Sequence, residues 1–225
     1  MVSTTVPPPA IAPSFLDRLF LRGFYKRLQR RLRDLAPALV PTVPDVVRAE
    51  ALRLHNQNLV LVVDAASASH LIMTSTVLAA YRTLQAHPET RAPALELTRA
   101  LFVDTGKGAT QLGMKLFPYL VRDPFRSMVN ISKNKQLAYY GKSFTFDMPQ
   151  DDDDAFILKV HGCFYNSFFL SQGAPELGAM FCEKDNTWSD GIDPQKAGFT
   201  FQRPTTLARG GDCCSFEFVR LGRAP

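Results

Sequence analysis

The chain has 225 residues, 46% of them hydrophobic, which is enough to bury one substantial core; 17 Phe against a single Trp favour a packed interior over a wet binding surface. No apolar run approaches the roughly 18 residues of a membrane span. The net charge of +5 suggests an anionic partner only until it is located: residues 14–35 carry seven bases and two acids, an excess of five, and the remainder is neutral.

Four cysteines in a chain of this size are not a disulfide scaffold, and the adjacent Cys213 and Cys214 are poorly placed to bridge each other. The start, MVSTTVPPPAIAP, lacks the charged region and apolar run of a secretory signal. The expected setting is therefore cytoplasmic, with free thiols. The expected organisation is a disordered tail over 1–13 and a single domain over 14–225.

Ser14 caps the first helix, with Asp17 as its capping-box partner. Leu16, Phe20, Phe24, Leu28, Leu32 and Leu35 recur at helical spacing, and the arginines take the opposite side. A solvated basic face is the plain reading; no basic strand interleaved with aromatics supports nucleic-acid binding. After Pro37, Pro41 and Pro44 a second helix runs over 45–54. The following LVLVVDAASAS fits a buried strand or an apolar helical turn equally well. Further helices are expected over 69–86, 91–103 and 109–120. Thr105-Gly106-Lys107-Gly108 resembles a phosphate loop but lacks its spacing, and reads as a turn between helices. Pro124 opens another helix that ends near Gly141.

The spacing then changes to alternation. Phe144, Phe146 and Met148 alternate with polar residues, and Asp151, Asp152, Asp153 and Asp154 form a turn. Four consecutive acids do not space their oxygens around one cation, so a solvated loop is expected. Phe156, Leu158 and Val160 share a strand face; helices follow over 163–172 and 175–188, and strands over 198–203 and 214–220 close the chain. The expected class is α+β, with a helical N-terminal half packed on an antiparallel sheet formed by the C-terminal half. The last two strands, joined by a Gly-rich loop, should be neighbours.

Strand parity places Arg203 in line with Phe199 and Phe201, and Cys214 in line with Phe216 and Phe218. An inward arginine needs a partner, and Asp185, Glu183 or backbone carbonyls serve as well as a substrate anion. Cys182 and Asp185 lie one helical turn apart. Cys163 follows His161-Gly162 where a strand becomes a helix, a position that lowers a thiol pKa. Cys163, Cys182, Cys214, His161 and Asp185 are zinc-ligand types, but without CxxC or HxxxH spacing no metal is expected, and no cofactor. Each lone cysteine is equally well read as a small buried hydrophobe.

The order Cys163, Pro175-Glu176-Leu177, Cys182-x-x-Asp185, Arg203-x-x-Thr206-Leu207-Ala208-x-Gly210 and Cys214-x-Phe216 resembles the L-2-amino-thiazoline-4-carboxylic acid hydrolase family. The resemblance is carried by the last third of the chain. It implies addition of water to C2 of a thiazoline to give N-carbamoyl-cysteine. The C-terminal half also resembles the 4-vinyl-reductase type of small-molecule-binding domain. Where that type holds zinc with a glutamate and a cysteine, this chain has Arg203 and Thr206.

The expected activity is hydrolysis of a small heterocyclic or amide-like carbon–nitrogen centre (thiazoline-carboxylate-type ring opening), in the setting of a secondary-metabolite pathway. A cofactor-free cyclase or isomerase, or a non-catalytic small-molecule-binding domain, is the alternative. The expected roles put Cys163 or Cys182 as nucleophile, Asp185 orienting His161 or a water, and His161 moving the proton. Arg203 would clamp a substrate carboxylate, with Thr206, Cys214 and the Gly210-Gly211 backbone completing the binding surface.

Overall fold

The computed structural model describes residues 12–222, so all but the end of the tail expected over 1–13 lies outside the described residues. The chain divides into two compact units, 1–105 and 106–225. The class is α+β: the N-terminal half is helical and the C-terminal half supplies an antiparallel sheet.

The first unit is built from α1 (Phe15–Leu35), α2 (Val43–Gln57), α3 (Ala65–Ala86), α4 (Pro88–Arg91) and α5 (Ala94–Phe102). Ser14 and Asp17 form the expected capping box on α1, with Asp17 N–H donating to Ser14 Oγ at 3.1 Å and Ser14 N–H to Asp17 Oδ2 at 2.8 Å. The same carboxylate accepts the Ser69 hydroxyl of α3 at 3.0 Å, so the cap also ties two helices together. Phe24, Leu28 and Leu32 are buried, whereas Leu16 and Leu35, from the same helical row, are exposed at its two ends. The ambiguous stretch before α3 is a short turn, Leu59–Leu61, and α3 starts earlier than the spacing predicts because Asp64 and Ser67 cap it. This helix is buried on nearly every side and forms the middle of its unit.

The second unit begins with α6 (Lys107–Leu120) and α7 (Pro124–Lys135). Gly106 has φ +77°, a left-handed conformation that suits glycine, and Thr105-Gly106-Lys107-Gly108 is indeed the turn into a helix. The wider π turn Gln136–Tyr140 extends α7 to Gly141, at φ +67°. Then follow β1 (Thr145–Asp151), β2 (Ala155–Gly162), α8 (Phe164–Ser171), α9 (Glu176–Asn186), α10 (Pro194–Ala197), β3 (Phe199–Gln202) and β4 (Cys214–Arg220). All pairings are antiparallel in the order β1-β2-β4-β3, so the two last strands are neighbours as expected. Pro149 sits where the β1 register shifts between Asp147 and Gln150, on an edge strand that tolerates a missing N–H. The acidic turn between β1 and β2 is held by its own Asp152, which accepts the Asp154 and Ala155 N–H groups, and by Arg126 and Lys133, which pair with Asp153 and Asp151.

The register puts Phe156, Leu158 and Val160 opposite Phe218, Phe216 and Cys214, and Phe201 opposite Phe218. One face of the sheet is therefore a continuous aromatic surface. Phe125, Met128 and Val129 of α7 pack on it, and Trp188 stacks on Phe218 with ring centroids 5.9 Å apart. Phe218 touches rings from β2, β3 and the turn after α9, and it is buried. Phe218→Ala is expected to cost about 3–5 kcal/mol, read as a fall in the urea midpoint at unchanged slope; a loss below about 1 kcal/mol would mean this face is not the core of the unit.

Candidate functional site

The strand β3 ends at Gln202, and Arg203 continues its core-facing row. The guanidinium carbon lies 4.1 Å from the centroid of the Phe216 ring. Its Nη1 donates to the Cys182 carbonyl at 3.0 Å and reaches Asp185 Oδ2 at 3.4 Å. The side chain is 8% exposed, so this is a buried cation with a named counter-charge. Burial works against its charge, yet Asp185 and the neighbouring sulfurs raise its pKa above the ordinary value. Asp185 uses its other oxygen to accept the Tyr140 hydroxyl at 2.8 Å.

Three cysteines share this environment. Cys182 lies one turn before Asp185 on α9, and Cys214 opens β4. The Cys182 thiol is hydrogen-bonded to the Cys214 sulfur, which also accepts the Leu207 N–H at 3.3 Å. The Cys182 donor does most to favour a Cys214 thiolate; the Leu207 amide and the Arg203 charge and hydrogen bond add to it against burial. Together they pull Cys214 down from 9.0 to about 6. Cys182 moves the opposite way, because giving up its proton would cost the hydrogen bond to a neighbouring sulfur anion. Cys163 is the N-cap residue of α8 but its side chain makes no capping hydrogen bond; the nearby Asn166 and Tyr165 amides favour its thiolate, yet burial outweighs them and pushes its thiol up to about 11. The lowering expected from its helix-start position is therefore not realised.

Thr206 is buried, with a hydroxyl that meets no partner, beside the Leu207 amide. Gly210 and Gly211 do not offer their N–H groups: these donate to the Leu207 and Thr206 carbonyls and shape the loop. Gly210 has φ +82°, which this turn requires. His161 is set apart. The β2–β4 register pairs Val160 with Cys214, so His161 points to the other face of the sheet, where it is exposed. Its side chain makes no hydrogen bond or ion pair among the described residues, and the Asp185 oxygens serve Tyr140 and Arg203 instead. Cys213 lies 4.0 Å from the Thr205 hydroxyl. Among the described residues no three His, Cys, Asp or Glu side chains converge in a way that could hold a metal ion.

Sequence reasoning missed Tyr140, the Leu207 amide and Phe216 as the base of Arg203. Tyr140 ends the π turn, 45 residues from Asp185, and no spacing joins them. Burial first, then the Asp185 charge, pushes its phenol well above the usual range, so it remains a donor.

The L-2-amino-thiazoline-4-carboxylic acid hydrolase family model matches residues 69–218, two thirds of the chain. The chain belongs to that family. Its name supports a hydrolase-like function in general terms. No curated protein matches the chain in sequence. Among solved structures, the crystal structure of an Fe(II) unliganded H-NOX protein from K. algicida is similar over 90% of this chain and 97% of that one, at 8% identity and a TM-score of 0.36. A likeness that slight carries no argument for this member of the thiazoline-carboxylate hydrolase family. Among the described residues no helix is long and apolar enough to cross a membrane.

A Cys214 pKa held below its unfolded value gives a stability increment that is full above the unfolded value and is lost as pH falls through about 6. Thiolate ultraviolet absorbance should therefore show one step near pH 6, missing in Cys214→Ser and moved upward in Arg203→Gln. A first step that survives Cys214→Ser would assign the low-pKa thiol elsewhere.

Proposed function

We propose that the chain hydrolyses a small cyclic amidine of the thiazoline-carboxylate kind, with Cys214 as the nucleophile. One observation carries this reading: a sulfur with its pKa pulled to about 6 sits beside a thiol donor, a backbone N–H and a buried arginine. Cys163 and Cys182, the nucleophiles expected from the sequence, are both held as protonated thiols near neutral pH. Asp185 and Tyr140 set the Arg203 orientation, and Arg203 sustains the thiolate. With Nη1 engaged by the protein, its part is support of the sulfur anion more than capture of a substrate carboxylate.

The chemistry balances with these groups. The Cys214 thiolate adds to ring C2, the bond from C2 to the ring sulfur breaks, and that sulfur takes the Cys182 proton. The carbon is now an isothiourea on Cys214. Water adds to it, Cys214 leaves as thiolate, and the released proton returns to Cys182. Tautomerisation gives the N-carbamoyl thiol, with net consumption of one water. The Thr206 hydroxyl, buried and unpartnered, is suited to bond the nitrogen on which negative charge develops. His161 is outside this scheme.

The assay is release of free thiol from 2-amino-thiazoline-4-carboxylate, with the product mass confirmed. Cys214→Ser is expected to lower kcat about a thousandfold or more, and Cys182→Ala to lower it less while moving the acid limb of the pH profile upward. Arg203→Lys should retain part of the activity, since it keeps the charge but not the planar contact with Phe216. Full turnover in Cys214→Ser rules out covalent catalysis by that residue. Absence of turnover of any cyclic amidine by the unaltered protein rules out the substrate class.

A further inference from the structure

Helices α1, α2 and α3, with Ala12 and Pro13 ahead of α1, line an open cavity of about 810 Å³ within the first unit. None of its residues belongs to the cysteine site, which lies in the second unit. Its volume is that of a small-molecule site, and Leu21, Ala51, Leu52 and Ile72 give it apolar walls.

The charged side chains lining this cavity are all cations, and the other polar ones are hydroxyls, amides and one imidazole. Ser75 is 1% exposed, and its hydroxyl meets no hydrogen-bonding partner. Its neighbours on α3 behave differently: Thr74 and Thr76 donate to the His70 and Ile72 carbonyls at 2.9 and 2.7 Å. A hydroxyl left over between two that bond back along the helix is a deficit, because a buried polar group without a partner destabilises. His55 Nδ1 is likewise buried and unpartnered, and burial lowers that imidazole's pKa. Burial raises the Tyr25 phenol to about 12, against the nearby Arg48, so it keeps its proton. Arg22 and Lys26, one turn apart on α1, have no ion-pair partner among the described residues. Arg48 lies over the Tyr25 ring at 4.6 Å and pairs with Asp45, which is not part of the lining. No lining residue is Asp or Glu.

We infer that this cavity is a second small-molecule site, which takes an amphipathic organic anion: an apolar body against Leu52 and Ile72, and an anionic head drawn by Arg22 and Lys26 and bonded by Ser75 and His55. The basic face of α1 then has a ligand-binding use in addition to solvation. The inference is independent of the cysteine chemistry.

The probe is dodecanoate below its micelle concentration, titrated by calorimetry into the full chain, with dodecyltrimethylammonium as the opposite-charge control. Saturable binding of one equivalent is expected, with the Leu52 and Ile72 methyl signals moving in step with saturation. The surface pair Arg22→Gln with Lys26→Gln should weaken dodecanoate at least tenfold without altering the melting temperature, and Ser75→Ala should weaken it several-fold. Equal affinity for the cationic probe overturns the inference, as do an unaffected double variant, methyl shifts confined to other residues, and absence of binding by the unaltered chain. Loss of binding with cysteine-site turnover retained, or the reverse, separates this site from the proposed hydrolysis.

Discussion

A guanidinium buried against Phe216 has to be neutralised where it lies, and the architecture of the second unit follows from that requirement. An uncompensated cation in a low-dielectric interior costs far more than one packing contact returns. Asp185 supplies the counter-charge, the Cys182 carbonyl takes a second donor interaction, and Tyr140 fixes the carboxylate that does the neutralising. These partners come from α9 and from the π turn after α7, so one side chain ties two helical segments to the sheet. Removal of Asp185 would strand the cation, whereas removal of both charges together would leave a polar but neutral pocket.

The charge also explains why two thiols in similar surroundings behave differently. Cys182 and Cys214 are hydrogen-bonded to each other, and that bond alone would not decide which sulfur gives up its proton more readily. The Leu207 amide and the Arg203 hydrogen bond both favour Cys214, and neither has a counterpart at Cys182. The loop 203–213 that presents this amide is shaped by the Thr206 carbonyl, which accepts the Arg209 and Gly211 N–H groups. Backbone geometry and the arginine together lower the Cys214 pKa relative to that of Cys182.

Much of the second unit was legible before the structure because period-two alternation is a strong signal. The Phe199, Phe201 and Arg203 row and the Cys214, Phe216 and Phe218 row both fall on the packed face, and the inward arginine finds one of the partners named for it. His161 was placed beside Asp185 on chemical type, yet the same parity argument applied to β2 puts it on the face opposite Val160 and Cys214. The Cys163 expectation weighed the helix start without the desolvation that outweighs it. Tyr140 and the Leu207 amide were beyond reach for another reason: one depends on a long-range contact and the other on a main-chain direction, and neither leaves a trace in residue type. In the first unit the row from Leu16 to Leu35 was read correctly at its centre and failed at its ends, where a helix outruns what covers it.

Five buried side-chain nitrogen or oxygen atoms among the described residues lack a hydrogen-bonding partner: His55 Nδ1, Ser75 Oγ, Asn186 Oδ1, Arg203 Nε and Thr206 Oγ1. Local geometry does not force this, because hydroxyls elsewhere are satisfied within their own segments. Thr98 donates to the Ala94 carbonyl at 2.8 Å, and Thr90 to the Leu84 carbonyl at 2.7 Å. Random imperfections would scatter through the interior. Instead, two of the five line the α1–α2–α3 cavity, and the other three belong to the α9 end and the 203–206 stretch that frame the thiols. On the two readings proposed above, these are the atoms that a bound molecule would satisfy. In the first unit the unsatisfied groups share a cavity with Arg22, Lys26 and Arg48 and with no acid, which favours an anion there; in the second, Asp185 already neutralises Arg203, so what remains is hydrogen-bonding capacity more than net charge.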